Sequence, residues 1–276
     1  MPFKKKFCLM HANCQGEPLS ELLLLSEPFA AQWEIRHYLN YTKEHVPREA
    51  LDNCDLFLYQ HLEEKWGDLA SSAMLARLGP KAASFCLPNM FFKGCWPFWT
   101  TDSPMDFGDT MLDRLLTSGV GKPEIMKVYL RGDITKFVDL AALLAETLSL
   151  EEKKEKFCDV ATVPIIHEYW QREMLFYTCN HPAKRLLAHV ANAVLTHLGY
   201  PALPESRLRD YQPEYAEFEL PFHPGVARFH NLGYAGEGYE FLVFGRRMCF
   251  GRYISRYIEC RRQGMEDSFL PFLQLV

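Results

Sequence analysis

The fold is decided by FCLMHANCQG, residues 7–16, an apolar run that ends in a polar turn. Residues 7–12 are rich in strand-forming side chains, and the apolar spacing that begins at Leu19 is typical of a helix with Pro18 near its first turn. A strand that passes through a short turn into a helix is the opening of an α/β unit. The turn, with Cys14 at its centre, is therefore the leading candidate for an active-site loop.

The alternation of apolar strand and helix continues as far as Pro88. The predicted strands are residues 7–12, 33–39, 55–62 and 82–87. The helices predicted between them begin at Leu19 and cover 47–54 and 69–78. Four strands that alternate with helices indicate a mainly parallel, Rossmann-like sheet.

The rest of the chain has a different pattern. Apolar spacing predicts helices over residues 105–118, 134–156, 168–177, 183–198 and 252–261. We therefore expect an α/β fold in which the N-terminal sheet is followed by a predominantly helical C-terminal half packed on it. Residues 1–100 would form the α/β core with the strand-end site, and residues 101–276 would complete the same globular unit.

Composition narrows the classes of function. The formal net charge of −5 at pH 7 disfavours nucleic acid as a partner. The nine cysteines contain no CxxC pair, which disfavours disulfides and zinc knuckles and predicts a reducing, cytoplasmic location. No apolar stretch approaches the ~20 residues of a membrane-spanning helix. Phosphate-binding glycine loops and HExxH motifs are missing from the sequence, so we expect no nucleoside triphosphate, nicotinamide or metal cofactor.

Polar residues stand at the ends of the predicted strands. In open parallel sheets, ligands bind beyond the carboxyl ends of the strands. The polar residues at these ends are Asn13, Gln15, Gln60, His61 and Asn89. Each is weak evidence alone, but their shared position predicts a polar rim that binds a ligand carbonyl or phosphate.

Cys14 occupies the turn between the first strand and the first helix. Backbone amides and the dipole at a helix start would lower the pKa of its thiol and favour a thiolate nucleophile. The same amides would form an oxyanion hole, helped by the side-chain amides of Asn13 and Gln15. The alternative is a packed cysteine beside a polar turn.

His181 lies in the segment Asn180-His181-Pro182, just before a long predicted helix. The proline disfavours helical geometry in the residue before it, so the histidine would be displayed at the helix start. A histidine in such a position suits general-base catalysis, and a nucleophile with a histidine is the minimum for acyl transfer. A simple helix-capping segment is an equally good interpretation.

An aromatic segment, residues 91–99, follows the fourth strand. It would suit the wall of a binding pocket, since ligand sites are mostly apolar. It would suit the hydrophobic core equally well, and the sequence does not favour either.

Together these motifs resemble the WcbI type of polysaccharide-biosynthesis enzyme. The resemblance rests on Asn13-Cys14-Gln15 after the first strand, Gln60 after the third, Pro88-Asn89 after the fourth, and Asn180-His181-Pro182 before a helix. It spans residues 5–260. Cys14 and Gln15 fall in the signature loop of the family, and His181 falls in its Asn-His-Pro signature. One residue departs from the pattern, because Ala12 stands where glycine is expected before the asparagine.

The resemblance implies an O-acetyltransferase that uses acetyl-coenzyme A and acts on a sugar hydroxyl in capsule polysaccharide assembly. The expected catalytic residues are Asn13, Cys14, Gln15 and His181. The expected contacts to coenzyme A are Gln60, His61, Asn89, Lys93, Arg172, Asn180 and Lys184. Lys93, Arg172 and Lys184 are chosen by position and charge to meet its phosphates. Two alternatives remain open, a thiol-dependent esterase of related geometry and a non-catalytic module that binds coenzyme A or a sugar.

Overall fold

A computed structural model describes residues 5–236, 238–265 and 269–275 of the chain. The described residues form two compact units, and neither unit is continuous in sequence. The first unit contains the described residues up to Phe91 together with 150–168 and 181–214. The second unit contains 92–149, 169–180 and the described residues from Tyr215 onward. The boundary expected near residue 100 stays a prediction.

The first unit is built on a four-stranded sheet. Its strands are β1 (Lys6–Ala12), β2 (Trp33–Leu39), β3 (Leu56–Gln60) and β4 (Ala83–Leu87). They are parallel throughout and lie in the order β2-β1-β3-β4. The predicted α/β class and the four predicted strands are therefore confirmed.

Helices and short strands account for most of the remaining chain. The helices are α1 (Gly16–Leu24), α2 (Glu27–Gln32), α3 (Arg48–Asp52), α4 (Ser71–Leu75), α5 (Thr110–Thr117), α6 (Lys122–Arg131), α7 (Leu140–Glu155), α8 (Val163–Tyr169), α9 (Lys184–His197), α10 (Glu205–Arg209), α11 (Pro224–His230), α12 (Phe250–Arg262) and α13 (Phe269–Leu275). The short strands are β5 (Trp99–Thr100), β6 (Gly108–Asp109), β7 (Phe176–Thr178), β8 (His181–Pro182), β9 (Glu240–Val243) and β10 (Arg246–Cys249). Single 3-10 turns cover Glu64–Leu69, Ile134–Lys136 and Glu214–Glu217.

Apolar layers cover the sheet of the first unit, as a parallel sheet requires. One layer contains Leu9 and Phe57 from the strands with Leu51 and Met74 from the short helices α3 and α4. Helices α1 and α9 also pack against each other. Their buried residues include Leu19, Leu22 and Leu23 on α1, and Leu186, Leu187, Val190, Ala191, Val194 and Leu195 on α9.

The order of the strands identifies a candidate binding crevice at the carboxyl ends of the strands. Strands β2 and β3 lie on opposite sides of β1, so the chain reverses its direction of winding there. In doubly wound sheets, the crevice at such a switch point, beyond the carboxyl ends of the strands, is where ligands bind. Here that crevice lies between the ends of β1 and β3.

The second unit combines helices with two-stranded antiparallel sheets. Strands β9 and β10 form a hairpin, and its tight turn uses Phe244 and Gly245 with φ values of 49° and 77°. Positive φ at both central residues matches the right-handed twist of the strands. Helix α12 packs against α6 and buries Phe250, Tyr253 and Tyr257.

Three of the predicted helices in this half differ from the structure. The helix predicted over 168–177 does not form, because α8 ends at Tyr169 and residues 176–178 are strand β7. The helix predicted over 105–118 starts only at Thr110, where the side chain of Asp109 accepts a hydrogen bond from the amide of Leu112 and caps the helix.

The helix predicted over 134–156 is interrupted near its start. Residues 134–136 form a 3-10 turn, and the regular helix α7 begins at Leu140. The carboxylate of Asp139 accepts a hydrogen bond from the amide of Ala142, which is an N-capping arrangement. Across all described residues, no helix is both long enough and apolar enough to cross a membrane.

Candidate functional site

The turn after β1 is fixed to its neighbouring strands by hydrogen bonds. The amide of Asn13 donates to Oε1 of Gln60, at the end of β3, over 2.8 Å. The amide of Asn40, just after β2, donates to the carbonyl oxygen of Ala12 over 3.0 Å. The carboxyl ends of three adjacent strands are therefore joined at the switch point.

Gln60 is the hub of a buried amide network. Its Oε1 also accepts a hydrogen bond from Nδ2 of Asn40 at 3.2 Å. Its Nε2 lies within 3.2 Å of Oδ1 of Asn13 and of the carbonyl oxygen of Pro88, and 3.3 Å from Oε1 of Gln15. Gln60 is fully buried, so each of these bonds replaces water that the side chain has lost.

Gln15 links the turn to the segment that follows β4. Its Nε2 donates to the carbonyl oxygen of Met90 at 2.7 Å, and its Oε1 accepts the amide of Met90 at 3.1 Å. The side-chain amide of Gln15 therefore both donates to and accepts from the backbone of one residue, as paired residues of neighbouring β-strands do. Gln15 has no exposed surface, so the structure gives it a supporting position beneath the turn.

Above the buried layer lies a partly exposed rim formed by Asn13, Cys14 and Asn89. Nδ2 of Asn13 donates to Oδ1 of Asn89 at 3.2 Å. The ammonium of Lys154 donates to the carbonyl oxygen of Asn89 at 2.6 Å and pairs with the buried carboxylate of Glu151. The rim therefore offers amide groups, a thiol and one partly exposed ammonium to a ligand.

The net pKa shift predicted for the Cys14 thiol is wrong in direction. Burial raises the pKa of the Cys14 thiol, and its own backbone amide only partly opposes this. The amides of Asn13, Gln15 and Gly16 do not point at the thiol, since they donate to Gln60, to the Asn13 side chain and to the Asn13 carbonyl. These amides consequently do not form the predicted oxyanion hole.

Gly16 begins α1 against the imidazole of His37. A Cβ atom at Gly16 would lie 2.4 Å from Nε2 of His37, well inside contact distance. The same Nε2 lies 3.1 Å from the carbonyl oxygen of Ala12. Because a carbonyl only accepts, Nε2 is the protonated nitrogen of this ring. The glycine is required here for close packing between helix and strand.

His181 lies in the same unit as Cys14, in the short strand β8. The predicted position at a helix start is shifted, because α9 begins three residues later at Lys184. Burial lowers the pKa of His181 to about 4, so its imidazole is neutral at physiological pH. A neutral imidazole is the form that accepts a proton in general-base catalysis.

The other predicted contacts divide between the two units. In the first unit, the ring of His61 stacks on Phe157, and the ammonium of Lys184 donates to the carbonyl oxygen of Arg209 at 2.9 Å. Lys93, Arg172 and Asn180 belong to the second unit. Within that unit, the ammonium of Lys93 lies 6.0 Å from the Trp99 ring centroid, Arg172 is exposed, and Oδ1 of Asn180 accepts a hydrogen bond from Thr178.

Sequence comparison assigns the chain to a family. The family model described as "Polysaccharide biosynthesis enzyme WcbI" matches residues 7–203. The chain belongs to the WcbI family. The matched segment includes Cys14, Gln60, Asn89 and His181, so the strand-end network of this WcbI family member lies wholly within it. No curated protein matches the chain.

A solved structure has the same fold as this WcbI family member. The two superpose with a TM-score of 0.77 at 16% sequence identity, over 98% of this chain and 95% of the other. That structure is described as native WcbI, a novel polysaccharide biosynthesis enzyme, without a disulfide bond between coenzyme A and a cysteine. The likeness confirms the fold expected from the resemblance.

Three residues at the site were missed by the sequence analysis. Asn40 directly follows β2 as Asn13 directly follows β1, and that shared position was a signal that could have identified it. Glu151 and Lys154 come from the last turns of α7, more than sixty residues along the chain from Asn89. Nothing in the local sequence of a charged helix indicates that it contributes to a strand-end site.

The aromatic segment 91–99 contributes to the core of the second unit and to the lining of a small cavity. Phe92 and Trp96 are buried, and Phe92 stacks on Phe176 within the second unit. Residues 95–99 also line a small cavity of that unit with the side chains of Asp109 and Tyr129. Among the described residues, no cluster of three or more histidine, cysteine, aspartate or glutamate side chains is placed to hold a metal ion.

Proposed function

We propose that the protein is a coenzyme A-dependent O-acetyltransferase that moves an acetyl group from acetyl-coenzyme A to a sugar hydroxyl in capsule polysaccharide assembly. The main support is the rim of Asn13, Cys14 and Asn89, held at the switch point by fully buried amides. The family is one of polysaccharide biosynthesis, and the solved neighbour is described with coenzyme A beside a cysteine. We assign the corresponding place to Cys14.

The proposed reaction is a direct transfer. Because burial raises the pKa of the Cys14 thiol, the thiol stays protonated at neutral pH, which disfavours an acetyl-cysteine intermediate. His181, neutral at this pH, accepts the proton of the sugar hydroxyl. The new bond joins the sugar oxygen to the acetyl carbon, the carbon–sulfur bond breaks, and the proton passes to the sulfur of coenzyme A.

In this proposal, Asn13 stabilises the intermediate, and Gln15 and Gln60 hold the rim in position. Nδ2 of Asn13 lies at the rim and would stabilise the oxyanion of the tetrahedral intermediate. Gln15 and Gln60 keep the rim in place from below and act as positioning residues.

The phosphates of coenzyme A require cations. Lys154 already lies at the rim through Asn89, and Lys184 is a further cation of the same unit. Lys93, Arg172 and Asn180 stay proposed contacts, as does His61. The cytoplasm is the proposed location, since all nine cysteines are present as thiols.

The test measures release of the coenzyme A thiol from acetyl-coenzyme A, with and without a panel of methyl glycosides, and measures coenzyme A affinity by calorimetry. We expect wild-type protein to bind coenzyme A and to release thiol only with an acceptor. His181→Gln should lower kcat/KM by roughly 100-fold or more, as loss of a general base does. Cys14→Ala should retain turnover within roughly tenfold, and exposed His167→Gln should match wild type.

Each other outcome contradicts a stated part of the proposal. Release without acceptor would indicate an esterase, and binding without release would indicate a non-catalytic module. Full turnover in His181→Gln would remove the assigned base, and loss of turnover in Cys14→Ala would favour a covalent route. With His181 as the base, kcat/KM should stay constant down to about pH 5 and fall near about pH 4, where the imidazole protonates.

A further inference from the structure

An exposed aromatic ring stands beside the strand-end site. Phe157, two residues after α7, is 59% exposed, although large apolar side chains are ordinarily buried. One face of its ring is covered by the imidazole of His61, with centroids 4.3 Å apart and planes 5° from parallel. The stacked pair thus forms a flat platform with a solvent-facing aromatic surface.

The platform is tied to the rim through both of its members. His61 directly follows Gln60, whose side chain bonds the Asn13 turn. Phe157 lies one helical turn after Lys154, whose ammonium bonds the carbonyl oxygen of Asn89. The two attachments converge from β3 and from α7, which places the platform at the carboxyl edge of the sheet.

Charges around the platform indicate what chemistry it suits. Lys153 and Lys156 are exposed and precede Phe157 by four residues and one residue, in addition to Lys154 at the rim. A flat π-surface with several lysines close to it in the chain suits a planar aromatic ring that carries phosphates. A neutral sugar ring would also pack on an aromatic face, but it would offer these lysines no phosphate to bind.

We propose that the adenine base of coenzyme A stacks on the solvent-facing side of Phe157. This inference rests on the proposed function, because it assumes that coenzyme A is the donor substrate. His61 supports the platform from behind, and the neighbouring lysines meet the phosphates attached to the ribose. The pantetheine arm then extends from this platform to the rim of Asn13, Cys14 and Asn89.

The experiment compares ligands that contain different parts of coenzyme A. Calorimetry gives the Kd of coenzyme A, of pantetheine, which lacks the adenine nucleotide, and of adenosine 3′,5′-bisphosphate, which lacks the arm. Phe157→Ala should weaken coenzyme A and the bisphosphate by roughly 5- to 150-fold, the range that loss of base–aromatic stacking gives. Pantetheine should bind wild type and Phe157→Ala equally.

A tryptophan variant reports on stacking directly. In Phe157→Trp, coenzyme A and adenosine 3′,5′-bisphosphate should quench fluorescence beyond the quenching seen in wild type, and pantetheine should not. Phe137→Ala is the matched control, since Phe137 is 52% exposed and lies in the second unit. It should leave all three affinities unchanged. Thermal unfolding of each variant checks that the exposed substitutions leave the fold intact.

The outcomes separate this inference from the proposed function. If wild-type protein binds no coenzyme A, the proposed function fails and the inference fails with it. If wild type binds coenzyme A and Phe157→Ala binds it equally well, only the adenine platform is overturned. An equal loss for coenzyme A and pantetheine would also overturn it, because the ring would then contact the arm or another part of the site.

Discussion

At the scale of single residues, the environment of each titratable group decides its role. The helix start was expected to activate Cys14, yet burial outweighs it and the pKa of the thiol rises. His181 keeps its proposed role for the same reason, because burial holds the imidazole neutral. Sequence reveals which residue types stand at a turn, but the degree of desolvation depends on distant segments that cover them.

His11, on β1, has a pKa lowered to about 4, first by burial and then by His37, with Glu44 opposing. The unfolded chain therefore takes up a proton as the pH falls below about 6.5, whereas folded His11 stays neutral until about pH 4. The stability that His11 contributes is fully present above the unfolded pKa, and it is lost as the pH falls from about 6.5 to about 4.

The prediction for His11 concerns this loss of stability. Between about pH 7 and about pH 5, His11 should account for about 2 kcal/mol of the fall in the free energy of unfolding. His11→Met removes the titrating group, so urea unfolding at the two pH values should show a smaller difference by that amount. Exposed His45→Met is the control and should behave as wild type. An unchanged pH dependence in His11→Met would show that His11 does not titrate as described.

At the scale of elements, the sequence predicted the strands better than the contacts between their ends. The ends of β1, β2 and β4 were placed correctly, at Ala12, Leu39 and Leu87, because apolar runs stop there at polar residues. The hydrogen bonds between those ends, and the arrival of α7 with Lys154, depend on register and long-range packing. Local patterns carry no information about either.

Gln60 offers a test of the network that joins these elements. Gln60→Leu keeps the volume of the side chain but removes the acceptor for the Asn13 amide and for Nδ2 of Asn40. Leaving these buried donors unbonded should cost about 3 kcal/mol in the free energy of unfolding. Urea unfolding measures it, with exposed Gln32→Leu as the control, expected to change stability by less than about 0.5 kcal/mol. Equal stability of the two variants would contradict a structural role for the network.

Gly16 tests the contact between α1 and β2. Gly16→Ala would push a methyl group into the His37 ring, and we expect it to destabilise the protein by about 1–3 kcal/mol. His37→Ala in the same chain removes the ring, so the double variant should recover most of the loss beyond the effect of His37→Ala alone. Gly236→Ala is the control, because its Cβ would meet nothing within 4 Å. Additive effects of Gly16→Ala and His37→Ala would exclude the clash as the cause.

At the scale of the whole molecule, neither unit is a single stretch of chain. The first unit takes α9 from residues 184–197, and the buried apolar face of α9 packs on α1. Sequence order suggested a break near residue 100, since the strand pattern stops there. Periodicity shows that a helix has an apolar face but not which element covers that face, so the assignment of the helices to the two units was not predictable from it.

A fragment of residues 1–100 should therefore fail to fold on its own. It contains all four strands of the sheet, but it lacks the apolar residues of α9 that cover α1. We expect no cooperative thermal transition by circular dichroism and strong binding of a hydrophobic dye. Full-length protein measured in parallel should show a cooperative transition. A cooperative transition in the fragment would instead support an independent domain that ends near residue 100.

The amide network has a consequence for redesign of the loop. It fixes position 14 through the backbone of residues 13, 15 and 16 and through the side chains of Asn13 and Gln15. None of these hydrogen bonds uses the side chain of residue 14 itself. Cys14 could therefore be replaced by serine, alanine or aspartate without a change in the backbone of the loop. Such replacements would change the chemistry of the loop while its position is kept.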